Sequence, residues 1–257
     1  MSTVSTTPPQ HIVVMTGATS GIGAETLKHL AAVPDTVVIT GARDTGRTVA
    51  GADVFPLDLA SLASVRAFAD AVKQRLGEAK IEMLVLNAGT QFQKGQRSVD
   101  GFEMTLVTNH LSHYLLARLL LPDLAVGARV VLTTSDTHDP AVIPIAPRTL
   151  DTEELAHPSK GGAGGARAYA ASKLCNLLTT RSFAALDVVK ARHIQVIAYN
   201  PGLTGGTGWG TRPQSCASWY LASLARFRAS SAYSSLLSRW EHQSERGKCS
   251  PSWRQGT

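Results

Sequence analysis

The sequence feature that most constrains the fold of this chain is a glycine-rich stretch, Thr16–Gly23, which reads T-G-A-T-S-G-I-G. It lies between an apolar run, Ile12–Met15, and an amphipathic run, a succession that predicts a strand, a tight turn and a helix. Gly17 can adopt dihedral angles closed to other residues, Gly21 has no Cβ to keep an anionic ligand from the backbone, and Gly23 lets the helix pack close to the strand. N–H groups at the helix start then face the anion. The pattern alone also fits a plain tight β-to-α connection.

Apolar runs and helical periodicities alternate through most of the chain. The apolar runs are rich in Val, Ile and Leu, as expected for strands of a parallel sheet that helices cover on both faces. This alternation predicts an α/β fold with a doubly wound, Rossmann-like parallel sheet in a single domain. The predicted strands are Ile12–Met15, Val37–Ile39, Val54–Leu57, Ile81–Leu86, Val130–Thr133 and Ile194–Ala198, and the predicted helices are Ile22–Ala32, Leu62–Leu76, one that ends near Leu121, and Ala166–Leu186.

The composition is that of a soluble globular protein, with 257 residues of which 44% are hydrophobic and 17% charged. No uninterrupted apolar run approaches the ~20 residues that a membrane-spanning helix needs. Met1–Gln10 is polar and lacks the apolar core of a secretion signal. We therefore expect a disordered N-terminal tail over 1–10, no membrane span and a cytoplasmic location. Because Cys175, Cys216 and Cys249 lack the paired spacing of a metal site or a disulfide framework, no bound metal is expected.

The net charge of +6 is concentrated near the C-terminus. Residues 1–204 hold 18 Lys and Arg against 17 Asp and Glu, a balance of +1, whereas residues 205–257 hold 7 against 2, a balance of +5. The first part is nearly neutral, so we expect no nucleic-acid partner for it. A basic C-terminal segment that binds acidic partners stays open as an alternative.

The segment 205–257 is atypical of the alternation that precedes it. It is rich in Ser, Arg and Trp and has partial amphipathicity over Ser218–Trp240, so we expect it to be partly helical and partly disordered. Glu241–Thr257 contains no plausible strand. We therefore expect the last edge strand of the sheet to be missing or altered.

Four polar residues are candidates for chemistry. Tyr169 and Lys173, in Y-A-A-S-K, are four positions apart on a predicted helix and share one face. A cation beside a phenol favours the ionised phenol, which makes a proton donor or acceptor usable near neutral pH, although such pairs are also common on surfaces. Ser135, at the end of a predicted strand, could hold a substrate oxygen or cap a turn. Asn109 lies in an apolar helix, where it either serves the site or is a buried structural amide.

Six motifs follow one another along the chain: the glycine-rich turn, Asn87-Ala88-Gly89 after a predicted strand, Asn109, Ser135, Tyr169 with Lys173, and Asn200-Pro201-Gly202. In this order they resemble the short-chain dehydrogenase/reductase family, and within it the branch with retinol-dehydrogenase-like and protochlorophyllide-reductase-like members. The resemblance covers roughly His11–Thr204, so we take 11–204 as a dinucleotide-binding catalytic domain. It implies an oxidoreductase that interconverts a carbonyl and an alcohol by hydride transfer with a nicotinamide cofactor.

The resemblance also implies roles for the individual residues. Tyr169 is then the catalytic acid/base, and Ser135 positions and polarises the carbonyl. Lys173 lowers the pKa of the tyrosine and hydrogen-bonds the nicotinamide ribose, while Asn109 helps to hold a water chain that resupplies protons. Hydride transfer builds negative charge on the carbonyl oxygen, so donors aimed at that oxygen suit this chemistry. The cofactor is expected against Gly17, Thr19, Ser20, Gly21, Ile22, Gly23, Arg43, Asp58, Leu59, Asn87, Ala88, Gly89, Tyr169, Lys173, Pro201 and Gly202.

The residues after the second predicted strand indicate which dinucleotide binds. Ala42 stands where an NAD-preferring relative carries a carboxylate, and Arg43 offers a guanidinium group to a 2′-phosphate. We therefore predict NADP(H) rather than NAD, although a shift of one residue would put the Asp44 carboxylate at that place. The resemblance implies that Asp58 contacts adenine. From the residues alone, Asp58 could equally cap a helix.

Several alternatives stay open. Asp139–Arg167 holds four prolines and a glycine-rich run and is either a mobile wall of the substrate site or a disordered insertion. His110 and His113 have a spacing that mimics a metal pair but lack a third ligand. A catalytically idle relative that binds a nucleotide as a sensor or scaffold is the alternative function. The expected partner is a small-molecule carbonyl or alcohol, and the resemblance implies a homodimer or homotetramer.

Overall fold

The computed structural model describes residues 11–44, 50–92, 95–159 and 165–202, which form a parallel sheet flanked by helices. All six predicted strands and all four predicted helices are present, and strand ends differ from the prediction by up to six residues. The strands are β1 (His11–Thr16), β2 (Thr36–Ala42), β3 (Asp53–Pro56), β4 (Ile81–Leu86), β5 (Leu124–Thr133) and β6 (Gln195–Tyr199). The helices are α1 (Gly21–Ala31), α2 (Leu62–Leu76), α3 (Met104–Leu106), α4 (Ser112–Leu120), α5 (Thr152–Ala156), α6 (Ala166–Ala184) and α7 (Asp187–Ala191), with 3-10 turns at Leu121–Asp123 and Asp136–His138.

The strand order is β3-β2-β1-β4-β5-β6, and every neighbouring pair is parallel. Val14 of β1 pairs with Ile39 of β2 on one side and with Leu84 of β4 on the other. The winding direction reverses between β1 and β4, and open α/β sheets bind their ligands at such a switch point. The predicted doubly wound α/β fold is confirmed.

Successive side chains of β1 pack into separate cores on the two faces of the sheet. Val13 and Met15 are buried in a cluster that includes residues of α1. Ile12 and Val14 are buried in a second cluster that includes residues of α2, α4 and α6. Each fully buried aliphatic side chain stabilises the fold by roughly 1.5–3 kcal/mol. The two clusters thus fix the turn after β1 and the helix α6 relative to the same strand.

The helical segment between β4 and β5 is interrupted by a π turn at Val107–Leu111, which the sequence did not predict. There the N–H of Ser112 bonds the carbonyl of Val107, five residues earlier. Single π turns occur frequently at functional sites. This one carries Asn109, which is fully buried.

The described part of Asp139–Arg167 includes the short helix α5 and is attached to the loop before α3. The N–H of Glu103 donates to the carbonyl of Ala156 at 2.8 Å, and the Arg97 guanidinium donates to the carbonyl of Pro158 at 2.9 Å. The described part of this segment is therefore ordered.

The described part of the sheet is open, with β3 and β6 at its edges. The segment in which the sequence predicts a missing or altered last strand lies outside the described residues. The tail 1–10 and the segment 205–257, whose structure the sequence also predicted, lie outside the described residues. Within the described ranges, no helix is long and apolar enough to cross a membrane.

Candidate active site

The predicted site segments that follow a strand all lie along one edge of the sheet, the one formed by the carboxyl ends of the strands. All six strands are parallel, so their carboxyl ends meet at that edge. The site segments follow these ends in turn: Gly17–Gly23 after β1, Arg43 after β2, Asp58 and Leu59 after β3, Asn87–Gly89 after β4, Ser135 after β5, and Pro201 and Gly202 after β6. The sequence-based grouping of these segments is therefore consistent with the fold.

The glycine-rich turn forms a close-packed cradle. Gly17 has φ +73°, and a Cβ on it would lie 2.7 Å from the Cα of Ala88. A Cβ on Gly23 would lie 1.8 Å from the Gly17 carbonyl oxygen, so only glycine allows α1 to start this close to the turn. Thr19 and Ser20 are exposed, and within the described residues the Ser20 side chain makes no capping hydrogen bond. The first-turn N–H groups of α1 are thus suited to an anion such as a phosphate.

Asn87 ties together the carboxyl ends of three strands. Its N–H and that of Ala88 both donate to Thr16 Oγ1 at 3.1 Å. Its side-chain Nδ2 donates to the Gly17 carbonyl at 3.4 Å, and its Oδ1 accepts from Thr133 Oγ1 at 3.2 Å. The Asn87 side chain therefore holds the cradle against the central sheet.

Tyr169 and Lys173 lie on one face of α6, as their spacing predicted. Lys173 Nζ is 5.4 Å from the centre of the Tyr169 ring, and it donates to the Thr133 carbonyl at 3.0 Å. Burial lowers the pKa of Lys173 to about 8, so the ammonium is charged at neutral pH. A Cβ on Gly89 would lie 3.3 Å from Lys173 Nζ, which shows how closely the loop after β4 approaches the ammonium.

Ser135 lies two residues beyond β5 and is the N-cap of a 3-10 turn that packs against α6. Its Oγ accepts weakly from the Thr137 N–H, at 3.4 Å. The turn is fixed from two sides: His138 donates from Nδ1 to the Ser135 carbonyl, and Asn200 donates to the Asp136 carboxylate. Ser135 therefore caps the turn, which is one of the two roles that the sequence allowed. Because its oxygen acts as the acceptor in this contact, the hydroxyl proton can still be donated to another partner.

The Asn109 side chain is fully hydrogen-bonded within the protein. Its Oδ1 accepts from the Thr90 N–H at 2.8 Å, and its Nδ2 donates to the Thr90 carbonyl at 2.9 Å and to Ser172 Oγ at 3.1 Å. Asn109 thus matches the structural amide that the sequence left open. These contacts hold the loop after β4 against α6, next to Lys173.

The residues after β2 and β3 refine the expected cofactor contacts. Ala42 is buried at the end of β2, and the Arg43 side chain is exposed. Asp58 does not cap α2, because Ser61 is the N-cap residue and Asp58 Oδ1 accepts from the Ala60 N–H instead. The Leu59 side chain is buried in the core, so only its backbone is available to a ligand.

Four further residues complete the site and were not predicted as part of it: Thr16, His113, Thr133 and Asn176. Asn176 Nδ2 donates to the Thr133 and Asn109 carbonyls at 3.2 and 3.1 Å. Its position, seven residues after Tyr169 and three after Lys173, places it on the same helix face, which is the signal that could have identified it. His110 Nδ1 lies 3.0 Å from Asn176 Oδ1 and His113 Nε2 lies 2.9 Å from Thr16 Oγ1, and the described residues contain no group of three potential metal ligands.

Cys175 lies on α6 two residues beyond Lys173 and is half-buried. Burial raises the pKa of its thiol, which keeps it protonated and unreactive. It lines a cavity of about 680 Å³ with His110, Leu178 and Arg181, among others. None of the predicted site residues lines this cavity, so it is separate from the candidate active site.

The family model described as short chain dehydrogenase matches residues 11–144. This chain belongs to the short-chain dehydrogenase/reductase family of oxidoreductases. A chloroplastic protochlorophyllide reductase from Daucus carota is 33% identical over 210 residues, which cover 66% of this chain and 50% of that protein. The chain therefore spans about half the length of such family relatives.

Solved structures share the fold of this chain. An uncharacterized protein from Mycobacterium paratuberculosis is 33% identical with a TM-score of 0.64, over 86% of this chain and 78% of that one. A short-chain dehydrogenase from Burkholderia cenocepacia in complex with NADP is 25% identical with a TM-score of 0.61, over 81% and 80% of the two chains. The predicted family and fold are both confirmed.

Proposed function

We propose that this chain is an NADP(H)-dependent oxidoreductase that interconverts a carbonyl and an alcohol, with Tyr169 as the catalytic acid/base. The observation that carries the proposal is the Lys173 ammonium 5.4 Å from the centre of the Tyr169 ring, on a helix that packs against the end of β5. A buried cation beside a phenol stabilises the phenolate that proton transfer produces.

The residues present fit a dinucleotide. The cradle of Gly17 and Gly23 leaves no room for a Cβ, and the exposed start of α1 suits its pyrophosphate. The exposed Arg43 beside the buried Ala42 favours NADP over NAD, and the NADP complex of the Burkholderia cenocepacia relative supports the same choice. When bound, the nicotinamide supplies or accepts the hydride.

The chain's own residues then supply protons and orientation. In the reducing direction, Tyr169 donates its phenolic proton to the substrate oxygen, and Ser135 donates a hydrogen bond to the same oxygen. Lys173 stabilises the resulting phenolate. Asn109 keeps the loop after β4 in contact with α6 through its bonds to Thr90 and Ser172. Donors held in place before the reaction lower the barrier more than donors that must reorganise.

The remaining assignments are part of the same proposal. Asp58 and the Leu59 backbone would lie against adenine, and Pro201 and Gly202, beyond β6, against the nicotinamide end. The segment 139–167 would form the substrate wall. The proposal also includes a cytoplasmic location, a homodimer or homotetramer, and a small-molecule substrate. The near-neutral charge of residues 1–204 supports the absence of a nucleic-acid partner.

The proposal is tested by following NADPH absorbance while aldehydes, ketones and quinones are screened as substrates. Turnover of at least one carbonyl, lost in Tyr169→Phe with NADPH binding retained, supports it. NADPH binding without turnover across the panel contradicts it and favours a catalytically idle relative. Nothing in the comparisons supports that alternative at present.

A further inference from the structure

A buried histidine joins the cofactor cradle to the π turn. His113 is the second residue of α4 and is 1% exposed. Its Nε2 lies 2.9 Å from Thr16 Oγ1, at the end of β1, and its Nδ1 lies 3.1 Å from the backbone carbonyl of Asn109. We call Thr16, His113 and Asn109 the His113 bridge.

The partners of the bridge fix the direction of each hydrogen bond. The Asn109 carbonyl can only accept, so His113 Nδ1 carries the proton and Nε2 is the acceptor. The Thr16 hydroxyl therefore donates to Nε2, and its oxygen lone pairs accept from the N–H groups of Asn87 and Ala88. Every donor and acceptor in the bridge is used, and the ring is held as one neutral tautomer. Burial lowers the pKa of His113 to about 3, in agreement with this assignment.

The bridge continues to the catalytic ammonium through one more side chain. Asn176 donates to the Asn109 carbonyl, which thus receives two side-chain donors, and also to the Thr133 carbonyl. Lys173 donates to that same Thr133 oxygen. A continuous set of buried hydrogen bonds therefore runs from the cradle after β1 to the ammonium beside Tyr169.

We propose that His113 is a positioning residue with two separable tasks: its Nε2 side orients the cofactor cradle through Thr16, and its Nδ1 side orients the catalytic helix through the Asn109 carbonyl. The inference rests on the proposed function, because it assigns each side to a different step of that reaction. Loss of the Nε2 contact weakens cofactor binding, and loss of the Nδ1 contact slows turnover.

Three substitutions separate the two tasks. His113→Asn places an amide nitrogen near the position of Nδ1 and removes the contact to Thr16. His113→Gln places an amide near the position of Nε2 and removes the contact to Asn109. His113→Phe keeps a ring and removes both contacts. A buried polar group that loses its partner typically costs enough to change an equilibrium or rate about 10-fold.

Two quantities are measured for each protein: the dissociation constant of NADPH, and kcat with a carbonyl that the wild-type enzyme turns over. We expect His113→Asn to raise the dissociation constant about 10-fold with kcat near that of wild type, and His113→Gln to lower kcat about 10-fold with binding near that of wild type. His113→Phe should show both changes. Thr16→Val removes the Nε2 contact from the other side and also the acceptor of the Asn87 and Ala88 N–H groups, so it should weaken NADPH binding at least as much as His113→Asn does.

A matched control is Val72→Ala, a fully buried position of α2 that removes core volume and touches none of these residues. It should lower the melting temperature and leave both constants unchanged. If the His113 variants affect binding and kcat equally, or behave like Val72→Ala, His113 is only a structural residue and the inference is wrong. If the wild-type chain neither binds NADPH nor turns over a carbonyl, the proposed function itself fails and the inference fails with it.

Discussion

Lys173 donates its ammonium proton to the Thr133 backbone carbonyl at 3.0 Å and is only 2% exposed. The carbonyl also accepts from Asn176 Nδ2 at 3.2 Å, so it would keep a donor if the lysine were absent. Burial lowers the pKa of Lys173 to about 8. Burial of this cation therefore lowers the stability of the fold, whereas the proposed chemistry needs its charge.

Replacing this lysine should raise stability while removing activity. The pKa falls from 10.5 to about 8, so the charged form is disfavoured in the folded state by up to about 3 kcal/mol, and Lys173→Met relieves that cost. Because the unfolded chain binds the proton more tightly, the stability of the wild-type protein rises between pH 8 and 10.5. The advantage of Lys173→Met should thus be full below pH 8 and shrink above it in denaturant titrations.

Lys28→Met is the matched control for this prediction, since Lys28 is exposed on α1. It should retain wild-type activity and bring no gain in stability, because an exposed lysine has no desolvation cost to relieve. A Lys173→Met protein that is less stable than wild type at pH 7, and inactive, would show that the hydrogen bond to Thr133 outweighs desolvation.

Removal of the phenolic hydroxyl should abolish turnover and spare cofactor binding. General acid–base groups contribute about 10²–10⁴-fold to a rate, so Tyr169→Phe should lower kcat by that factor with little change in the NADPH dissociation constant. Tyr114→Phe, on the half-exposed face of α4 where Arg118 contacts the hydroxyl, should retain wild-type kcat. Equal rates for Tyr169→Phe and wild type would rule out the proposed role of Tyr169.

Much of the fold was predictable because its signals are local. The runs Ile12–Met15 and Ile81–Leu86 are apolar strands bounded by turns, and buried parallel strands have that pattern. The Tyr169 and Lys173 positions were predictable for a similar reason, because a spacing of four fixes a shared helix face whatever the tertiary structure.

The remaining features depend on residues that are distant in sequence. Thr16 and His113 are 97 positions apart, and only the packing of α4 against the sheet brings them within 2.9 Å. The π turn around Asn109 has no clear local signal, since V-T-N-H-L is also compatible with an ordinary helix. The cap of α2 shows a local ambiguity: Asp58 and Ser61 both precede the helix and both suit a cap, and the structure selects Ser61.

Cofactor preference should depend on Arg43. A charge-assisted hydrogen bond contributes about 1.5–3 kcal/mol, so Arg43→Ala should lower the ratio of kcat/KM with NADPH to that with NADH by about 10- to 100-fold. Arg75→Ala is the control, because Arg75 is exposed and pairs with Asp53 at the amino end of β3, whereas Arg43 follows the carboxyl end of β2. An unchanged ratio in Arg43→Ala would contradict the assignment of NADP(H).

His113 should make the fold sensitive to acid. Its pKa is about 6.5 when unfolded and is lowered to about 3 by burial in the folded protein, so between these values the unfolded chain binds a proton that the folded chain excludes. Stability should therefore fall with decreasing pH, by about 1.4 kcal/mol per pH unit from this residue.

His113→Gln removes the titrating group, so the stability difference between this variant and wild type should shift in favour of the variant as pH falls from 6.5 to 4. Urea titrations at several pH values measure that shift without interference from the carboxylates, which titrate in both proteins. The comparison variant is His29→Gln, because it removes a histidine whose side chain is 57% exposed, whereas His113 is 1% exposed. A difference between His113→Gln and wild type that stays constant over this range would mean that the His113 ring is protonated in the folded state, and the bond directions assigned to the His113 bridge would then be wrong.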